Sequence, residues 1–425
     1  MAATLRHAQG TANSVKVPQL AWYEDNELKL DFPASWEVVI CNMQGYQRRP
    51  LGQRQIASAL SKPIGTDPLK ALARGKKQVA IIFDDLSRPT QAAPIMPHIL
   101  SQLEAAGVPA EGIRFICALG AHRALSLIEF KKKLGEAVLD RFPIYNHNPY
   151  ENCTFVGKTS RGTPVSVSSE VMACDLKIGV GLIVPHPMSG FGGGGKIILP
   201  GVASIETIVA NHRAVHEAAE KAGEGDEIAL GKFDKNPLRL DIAEAAKMAG
   251  LDFKVDVLVN TRKQTVALFA GEPLAVHDEG VKLAKEFYAT ERPKEIDIVV
   301  ANTYSKSNES NLAVPVGAGL LPRSGGDLVV LAITPEGQIT HYLLGTFGTT
   351  IAGQLWERPR LSRRVKRLIV YAPYLDLAGG KWIAPPEAIV WARTWAQVIA
   401  ELKKDYPGAA RVAVIPDATI QYFPK

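Results

Sequence analysis

The 425-residue sequence has only four cysteines, and no two of them are spaced as a CxxC pair. Cys41, Cys117, Cys153 and Cys174 lie far apart, which excludes a zinc ribbon and argues against a disulfide framework. Widely separated single cysteines are typical of proteins that stay in a reducing compartment. We therefore predict a cytoplasmic protein.

Long apolar runs are also missing. A helix that spans a bilayer needs about 18 consecutive apolar residues, whereas the longest run, 178–185, stops at His186. The first residues, MAATLRHAQGTANS, contain no apolar stretch of the kind that a secretory signal requires. We expect neither membrane insertion nor a signal peptide.

The sequence shows no strong bias of charge. It has 49 basic and 43 acidic residues, a net charge of +6 that is small for this length. Short basic clusters such as Lys131–Lys133 and Arg363–Arg367 occur without an aromatic-rich nucleic-acid motif. We interpret them as solvated helix faces and expect no nucleic-acid partner, although a modest positive field suits a small anionic substrate.

What the sequence does contain is an alternation of apolar strands and helical patterns. Continuous apolar segments occur at 78–83, 113–119, 176–184, 255–259, 295–301, 327–333, 367–371 and 411–415. Such strands, separated by helices, predict an α/β fold with mainly parallel sheets covered on both faces. We predict two α/β domains with an interdomain cleft, at 1–271 and 272–407, and a tail at 408–425 that returns to the first domain.

Polar side chains follow three of the strands in the first half. They are DDLSRPT at 84–90, GAHR at 120–123 and HPMSGFGGGGK at 186–196. Each segment alone is consistent with a turn or a helix cap. Ligands of open α/β sheets bind at the carboxyl ends of the strands, so three such segments together predict a functional site.

The glycine-rich segment partly matches a Walker A loop. Gly190 to Lys196 fits its first seven positions, but Ile197 replaces the hydroxyl residue that holds magnesium. Pro200 would interrupt the helix that cradles phosphates in such loops. An NTPase is therefore disfavoured, yet the glycines still allow backbone N–H groups to approach an anion. Lys196 beside them suits a phosphate contact or a covalent attachment.

A helix is predicted from a Ser204 cap to about Lys221, with His212 and His216 one turn apart. Two histidines at this spacing can share a metal ion, or they can be half-buried helix residues. No glutamate lies between them as an HExxH zinc protease requires. Spacing alone leaves both interpretations open.

Taken in order, these motifs resemble those of the nickel-pincer lactate racemase family. The match comprises DDLSRPT, GAHR, HPMSGFGGGGKIILPG (186–201) and the Asn-His pair at 211–212. It includes ten residues from His186 to Lys196 and sixteen from Lys196 to His212. VALFAGEPLAVH (266–277) also looks like the hinge region of the family, and the resemblance covers most of the first 270 residues.

The resemblance implies an isomerase, a racemase or epimerase of a 2-hydroxy acid. Its cofactor would be a nickel-pincer nucleotide attached covalently at Lys196, with His212 as the nickel ligand. The implied acid/base pair is His122 and His186. Around these we place Asp85 and Arg88 as further catalytic residues, and Gly193, Gly194, Gly195 and Thr90 beside the cofactor. The implied partners are the hydroxy acid and the proteins that make the cofactor.

Elementary chemistry agrees with these roles. Removing the C2 proton of a 2-hydroxy acid is hard because the neighbouring carboxylate stabilises a carbanion poorly. Removing hydride gives a planar 2-keto acid, and no amino-acid side chain accepts hydride. Each enantiomer presents its hydroxyl on a different side, so two bases are needed, and histidine suits both.

The second half departs from the family. Its lactate racemases carry a Tyr-Gln-x-x-Lys stretch whose lysine holds the substrate carboxylate. Here 302–312 reads NTYSKSNESNL, and Lys306 and Arg323 are the candidate substitutes. We therefore expect a 2-hydroxy acid other than lactate. Two alternatives are a phosphate- or nucleotide-binding transferase that uses the 190–196 loop and a non-catalytic protein that binds a small anion.

Overall fold

The computed structural model describes residues 13–23, 26–221 and 227–424, with side chains except at 214–216 and 218–221. The strands are β1 (Asn13–Gln19), β2 (Asn26–Phe32), β3 (Glu37–Ile40), β4 (Val79–Asp84), β5 (Ile113–Ala118), β6 (Ile144–Asn146), β7 (Cys153–Lys158), β8 (Pro164–Ser168), β9 (Leu176–Leu182), β10 (Pro185–His186), β11 (Gly190–Phe191), β12 (Phe253–Val259), β13 (Thr265–Gly271), β14 (Ile298–Asn302), β15 (Gly326–Leu331), β16 (Val365–Tyr371), β17 (Ile389–Ala392) and β18 (Arg411–Ile415).

The α-helices are α1 (Gln53–Ser61), α2 (Leu69–Leu72), α3 (Met96–Glu104), α4 (Leu127–Leu134), α5 (Glu136–Leu139), α6 (Ser169–Met172), α7 (Ile205–Lys221), α8 (Pro237–Met248), α9 (Pro273–Phe287), α10 (Ala313–Leu320), α11 (Leu377–Ile383) and α12 (Trp395–Lys403). Shorter 3₁₀ segments include Gly194–Ile197 and Tyr304–Leu312. Within the part of the chain that the structure describes, no helix is both long and apolar enough to cross a membrane.

The chain forms two compact units. Unit 1 contains the described residues up to Tyr46, then Ala289–Thr340 and the described residues from Leu344 onward. Unit 2 contains Gln47–Tyr288 and the three residues His341–Leu343.

The sheet of unit 2 has the strand order β13-β12-β9-β4-β5-β6. All its pairings are parallel except that of β12 with β13. Every residue of β4, β9 and β12 is buried, as expected for parallel strands covered on both faces. Because β4 lies between β5 and β9, the chain reverses its direction of winding here. The polar segments after these three strands therefore meet at one switch point.

The sheet of unit 1 has the order β17-β16-β15-β14-β18-β3, and its pairings are all parallel. Alternate residues of β14 enter two different hydrophobic clusters. Val299 and Ala301 belong to one, and Ile298 and Val300 belong to the other. Both faces of this sheet are thus covered, and the predicted α/β fold with mainly parallel sheets is confirmed.

The two units differ from the predicted limits of 1–271, 272–407 and 408–425. Near the start of the chain, β3 pairs with β18, so both strands belong to unit 1. Gly271 ends an edge strand of unit 2, and α9 packs on that same sheet. The side chain of Tyr288 then accepts a hydrogen bond from the N–H of Val259 at 3.0 Å. The predicted interdomain cleft stays a prediction.

Candidate functional site

The turn after β4 holds a buried aspartate against a histidine. Asp85 is 2% exposed, and its Oδ2 lies 2.6 Å from Nδ1 of His122. Its Oδ1 accepts hydrogen bonds from the backbone N–H and the hydroxyl of Ser87. Burial by itself would raise the pKa of Asp85, but the charge and hydrogen bond of His122, with Arg88 and Ser87, lower it to about 2. Asp85 is therefore an anion that orients the His122 ring.

Arg88 closes the same turn. Its Nη1 donates to the hydroxyl of Ser87 at 2.9 Å and to the Ser87 carbonyl at 3.0 Å. Its charge also helps to keep Asp85 ionised. The structure thus brings Asp85, Ser87, Arg88 and His122 into one hydrogen-bonded group.

Lys133 supports this turn from α4, although the basic cluster 131–133 was interpreted as a solvated face. It is fully buried. Its ammonium donates to the carbonyls of Asp85 at 2.9 Å and Arg88 at 2.8 Å, and it lies 2.5 Å from a carboxylate oxygen of Asp84. That interpretation is wrong for Lys133, because the residue lies on the apolar helix face with Phe130 and Leu134.

Thr90 lies at the end of the same turn. Its side chain is fully buried, and its hydroxyl donates to Oδ2 of Asp84 at 2.6 Å. Burial raises the pKa of Asp84, while Lys133 and Thr90 oppose that rise. Thr90 thus has a structural partner, and its contact with a cofactor stays a prediction.

The loop that carries His122 is tied to the segment after Lys196. Gly120 adopts a φ of +56°, and its N–H donates to the carbonyl of Gly201 at 2.9 Å. A Cβ at Gly120 would approach Pro200 to 3.3 Å. The position of His122 therefore depends on the conformation of the loop that contains the lysine.

His186 lies in a small hairpin, in which β10 pairs with β11. Its Nδ1 accepts hydrogen bonds from the backbone N–H groups of Met188 and Ser189, both at 3.2 Å. Because an amide N–H can only donate, Nδ1 of a neutral His186 carries the lone pair and Nε2 carries the proton. The tautomer is the opposite of that of His122, whose Nδ1–H faces Asp85.

The glycine loop after this hairpin is tightly packed, not a surface feature. Gly193 and Gly194 have φ values of +85° and +56°, where side chains are strained. A Cβ at Gly194 would lie 2.6 Å from the ring of His277, and one at Gly195 would lie 2.9 Å from Ala246. The carboxylate of Asp256, which is buried, accepts a hydrogen bond from the N–H of Gly194 at 2.7 Å.

Two further buried residues contribute to holding this loop, one through Asp256 and one directly. Lys254 is fully buried and lies 2.6 Å from Asp256. Burial lowers the pKa of His277, whose Nε2 donates to the carbonyl of Gly192 at 2.9 Å. The backbone of the loop is thus fixed by Asp256, Lys254 and His277, none of which was predicted.

Lys196 lies on the short 3₁₀ segment Gly194–Ile197, and not on the long helix that a Walker A loop requires. Together with Phe191, Arg239 and His277 it lines a cavity of about 520 Å³. Cavities of this size are typical of small-molecule sites. The lysine thus borders a space in which a ligand can be held.

His212 lies on α7, which is capped by the hydroxyl of Ser204 as predicted. Its Nδ1 donates to the carbonyl of Ile208 at 2.9 Å, so its lone pair is on Nε2. A backbone partner at one ring nitrogen is the usual arrangement of a metal-binding histidine. The side chain of His216 lies outside the described residues, and the described side chains contain no group of three or more metal-binding residues.

The sequence predicted only part of this site. His186, Lys196 and His212 lie on separate elements of unit 2, and their predicted roles stay predictions. Asp256 was missed although a charged residue inside the apolar strand FKVDVLV signals a buried ion. Ser87 and His277 carried no such signal, because a serine or a helix histidine is common on any surface.

Comparison with known proteins gives a consistent result. Residues 23–223 match the family model described as the lactate racemase N-terminal domain. Over 317 residues the chain is 29% identical to a lactate racemase of Thermoanaerobacterium thermosaccharolyticum. The aligned region makes up 73% of this chain and 72% of that protein. A lactate racemase of Lactiplantibacillus plantarum is 30% identical over 298 residues, 69% of this chain and 68% of its own length.

Solved structures agree on the fold. The lactate racemase apoprotein from Thermoanaerobacterium thermosaccharolyticum matches with a TM-score of 0.70 and 22% identity, over 97% of this chain and 100% of its own. A Thermotoga maritima structural-genomics protein matches with a TM-score of 0.66 and 18% identity, over 89% and 100%. From the sequence matches, this chain belongs to the lactate racemase family and is an isomerase.

Proposed function

We propose that this enzyme racemises or epimerises a 2-hydroxy acid other than lactate, using a nickel-pincer nucleotide attached at Lys196. The observation that carries the proposal is the opposite arrangement of two histidines. Nδ1 of His122 donates to the Asp85 carboxylate, whereas Nδ1 of His186 accepts two backbone N–H groups. One ring presents a lone pair at Nε2, and the other presents an N–H at Nε2.

The residues of unit 2 fit this cofactor. His212 offers Nε2 to a metal because its Nδ1–H is bound to the Ile208 carbonyl. Lys196 borders a cavity of about 520 Å³ and lies beside glycines that no larger residue can replace. When bound, a nickel-pincer nucleotide supplies the hydride acceptor at C2 of the substrate that side chains lack.

The chain itself moves the proton of the substrate hydroxyl. Asp85 keeps the His122 proton on Nδ1, so Nε2 takes the hydroxyl proton as hydride leaves C2. The same carboxylate then stabilises the imidazolium that results. Arg88 and Lys133 maintain the turn that holds Asp85 in place.

His186 supplies a proton to the other face. In its neutral form Nε2 carries the hydrogen and can hold the oxygen of a keto acid by a hydrogen bond. To transfer that proton without leaving an imidazolate, the ring must also carry a proton on Nδ1, so the imidazolium is the acid. For the reverse direction the two rings exchange roles, and His186 again needs its proton on Nδ1. In both directions the N–H groups of Met188 and Ser189 therefore have to release Nδ1.

Unit 1 supports a substrate other than lactate. Lys306 is buried and lies 2.7 Å from the carboxylate of Glu309, which already neutralises its charge. Arg323 is exposed and precedes β15, at the opposite end of the sheet from the segment that follows β14. Neither residue reproduces the carboxylate partner of the family's Tyr-Gln-x-x-Lys stretch.

The same segment of unit 1 is rich in polar groups. Asn308 Oδ1 and Asn311 Oδ1 are buried atoms with no hydrogen-bond partner among the described residues. Such atoms are costly unless a ligand or water satisfies them. We therefore expect a substrate whose side chain bears additional hydroxyl groups.

The cofactor is tested by intact-mass measurement after expression in a host that makes the pincer. We expect a mass adduct on the wild type and on Lys235→Ala, an exposed-lysine control, and none on Lys196→Ala. His212→Ala should retain the organic adduct and lose nickel. An active Lys196→Ala protein without an adduct would contradict the proposal.

The substrate is tested with a panel of single-enantiomer 2-hydroxy acids and chiral analysis of the products. Lactate would leave the buried amide oxygens of Asn308 and Asn311 unsatisfied, which costs about 1–3 kcal/mol, or roughly 5- to 150-fold in rate. We expect lactate to fall behind hydroxylated substrates by such a factor. If lactate reacts as fast as every other member, the substrate proposal is wrong.

A further inference from the structure

Three residues that are flanked on both sides by unit 1 belong to unit 2. His341 forms an antiparallel bridge with His122, and the N–H of Tyr342 donates to the carbonyl of Ala121 at 2.8 Å. The Tyr342 ring packs on Tyr150 with a centroid distance of 6.0 Å. Backbone and side-chain contacts thus attach the segment 341–343 to the loop that carries His122.

This attachment places a third imidazole against His122. The ring centroids of His122 and His341 are 5.0 Å apart, and their planes meet at 71°. Edge-to-face packing at this distance is a favourable arrangement of aromatic rings. Nδ1 of His341 accepts the N–H of Leu343 at 3.2 Å, so the ring of His341 is itself held in place.

The two neighbours of His122 restrict different motions. The hydrogen bond to Asp85 fixes the position of Nδ1 at 2.6 Å but allows the ring plane to turn about that bond. A ring packed at 71° opposes this rotation. A general base must aim its lone pair at the proton that it removes, so both restrictions matter.

We propose that His341 is a positioning residue that fixes the ring plane of His122. This inference rests on the proposed function, in which Nε2 of His122 takes the hydroxyl proton of the substrate. The contribution comes from the packing of the His341 ring on His122. A phenylalanine at this position should therefore replace it, whereas an alanine should not.

The first test uses the full chain without cofactor and needs no activity. We expect the ¹⁵N resonances of a labelled His122 to report a changed tautomer population in His341→Ala. They should be restored in His341→Phe and unaltered in Tyr342→Ala, which removes the neighbouring ring of the same segment. Asp85, which contacts His122, and Arg88 and Lys133, which hold the turn that carries Asp85, are all kept in these variants. Unaltered His122 resonances in His341→Ala would overturn the inference.

The second test measures 2-keto acid formation from each enantiomer in a single turnover of cofactor-loaded enzyme. His341→Ala should slow, by about 10- to 100-fold, the half-reaction that His122→Ala abolishes, and should leave the other within about threefold. Equal slowing of both, or a His341→Phe protein as slow as His341→Ala, would overturn it. A wild type that lacks the Lys196 adduct would instead reject the proposed function, and the resonances would still decide the role of His341.

Discussion

In the proposed mechanism Asp85 acts through His122, and we expect replacement of Asp85 to remove both the orientation and the charge that it supplies. Asparagine has nearly the same size but carries no charge and can hold the ring in the wrong tautomer. We expect Asp85→Asn to slow the half-reaction that uses His122 by on the order of 10²- to 10⁴-fold. Single-turnover formation of the 2-keto acid measures this, with the half-reaction that uses His186 as an internal control. Equal rates in wild type and variant would contradict the role of Asp85.

The lowered pKa of Asp85 should also make the stability of the fold depend on pH in the acid range. The pKa of Asp85 is about 2 in the folded chain, against a usual value of 3.8. A lowered pKa stabilises the fold above the usual value, and the stabilisation is lost as the pH falls through the folded value. The pair should contribute about 2 kcal/mol at neutral pH. Urea unfolding should show the difference between wild type and Asp85→Asn shrinking from pH 4 to pH 2, and a constant difference would contradict this origin.

The buried ammonium of Lys133 leads to a prediction about the stability of the fold. Lys133→Met keeps the length of the side chain but leaves Asp84 and two carbonyl oxygens without their donor. Breaking a buried pair from one side costs about 3–5 kcal/mol. Thermal unfolding should show this loss, whereas Lys131→Met, whose ion pair with Glu136 is exposed, should change little. Equal stabilities of the two variants would show that Lys133 does not support the turn.

At the level of residues, an ordered motif indicates which side chains lie together. Asp85, Arg88 and His122 were predicted in one site and are joined through hydrogen bonds in the structure, while their catalytic roles stay predictions. Lys133 was not found because two other lysines, exposed Lys131 and half-buried Lys132, precede it and conceal its helical position. His341 was not found because a backbone bridge between distant segments brings it to His122, and no local pattern encodes that pairing.

Substitutions in the glycine loop can test whether its close packing is needed for stability and for the cofactor adduct. Gly194→Ala would place a Cβ 2.6 Å from the ring of His277 at a φ of +56°, whereas a Cβ at Gly192 would meet nothing nearer than 3.7 Å. We expect Gly194→Ala to lose about 1–3 kcal/mol of stability and the cofactor adduct. Gly192→Ala should keep both. Calorimetry and intact mass compare the two variants, and a stable, loaded Gly194→Ala protein would show that the loop can shift.

Strands that are buried on both faces were easier to predict from the sequence than strands that mix exposed and buried residues. The strands β4, β9 and β12 are buried on both faces, so each reads as a continuous apolar run. The hairpins β1–β2 and β7–β8 mix exposed and buried residues, and their pattern is weak. Strand β13 was interpreted as part of a hinge because 266–277 resembles the hinge region of the family. Its antiparallel pairing depends on a partner, β12, and is not visible in its own sequence.

The whole molecule depends on pairing between distant parts of the chain. A protein that begins at Gln47 lacks β3 and the indole of Trp36, which donates to the carbonyl of Gly408 at 3.1 Å. We expect its amides in β18 and β14 to exchange hydrogen faster than those of the full chain, because unit 1 loses an edge strand and core contacts. Amides in β4 should keep their protection. Hydrogen-exchange mass spectrometry measures both, and undiminished protection of β18 would contradict this dependence.

The pairing of β3 with β18 also sets an order of events on the ribosome. The strands of unit 2 have all been synthesised once Gly271 has left the tunnel, so that sheet can form during translation. Unit 1 must wait for Arg411–Ile415, roughly 120 residues after α9, which takes on the order of 6–25 s at usual elongation rates. During this interval β3 has no strand to pair with, and the early part of unit 1 is available to chaperones. The contact of His122 with His341 likewise forms only after residue 341 has been synthesised, later than the glycine loop.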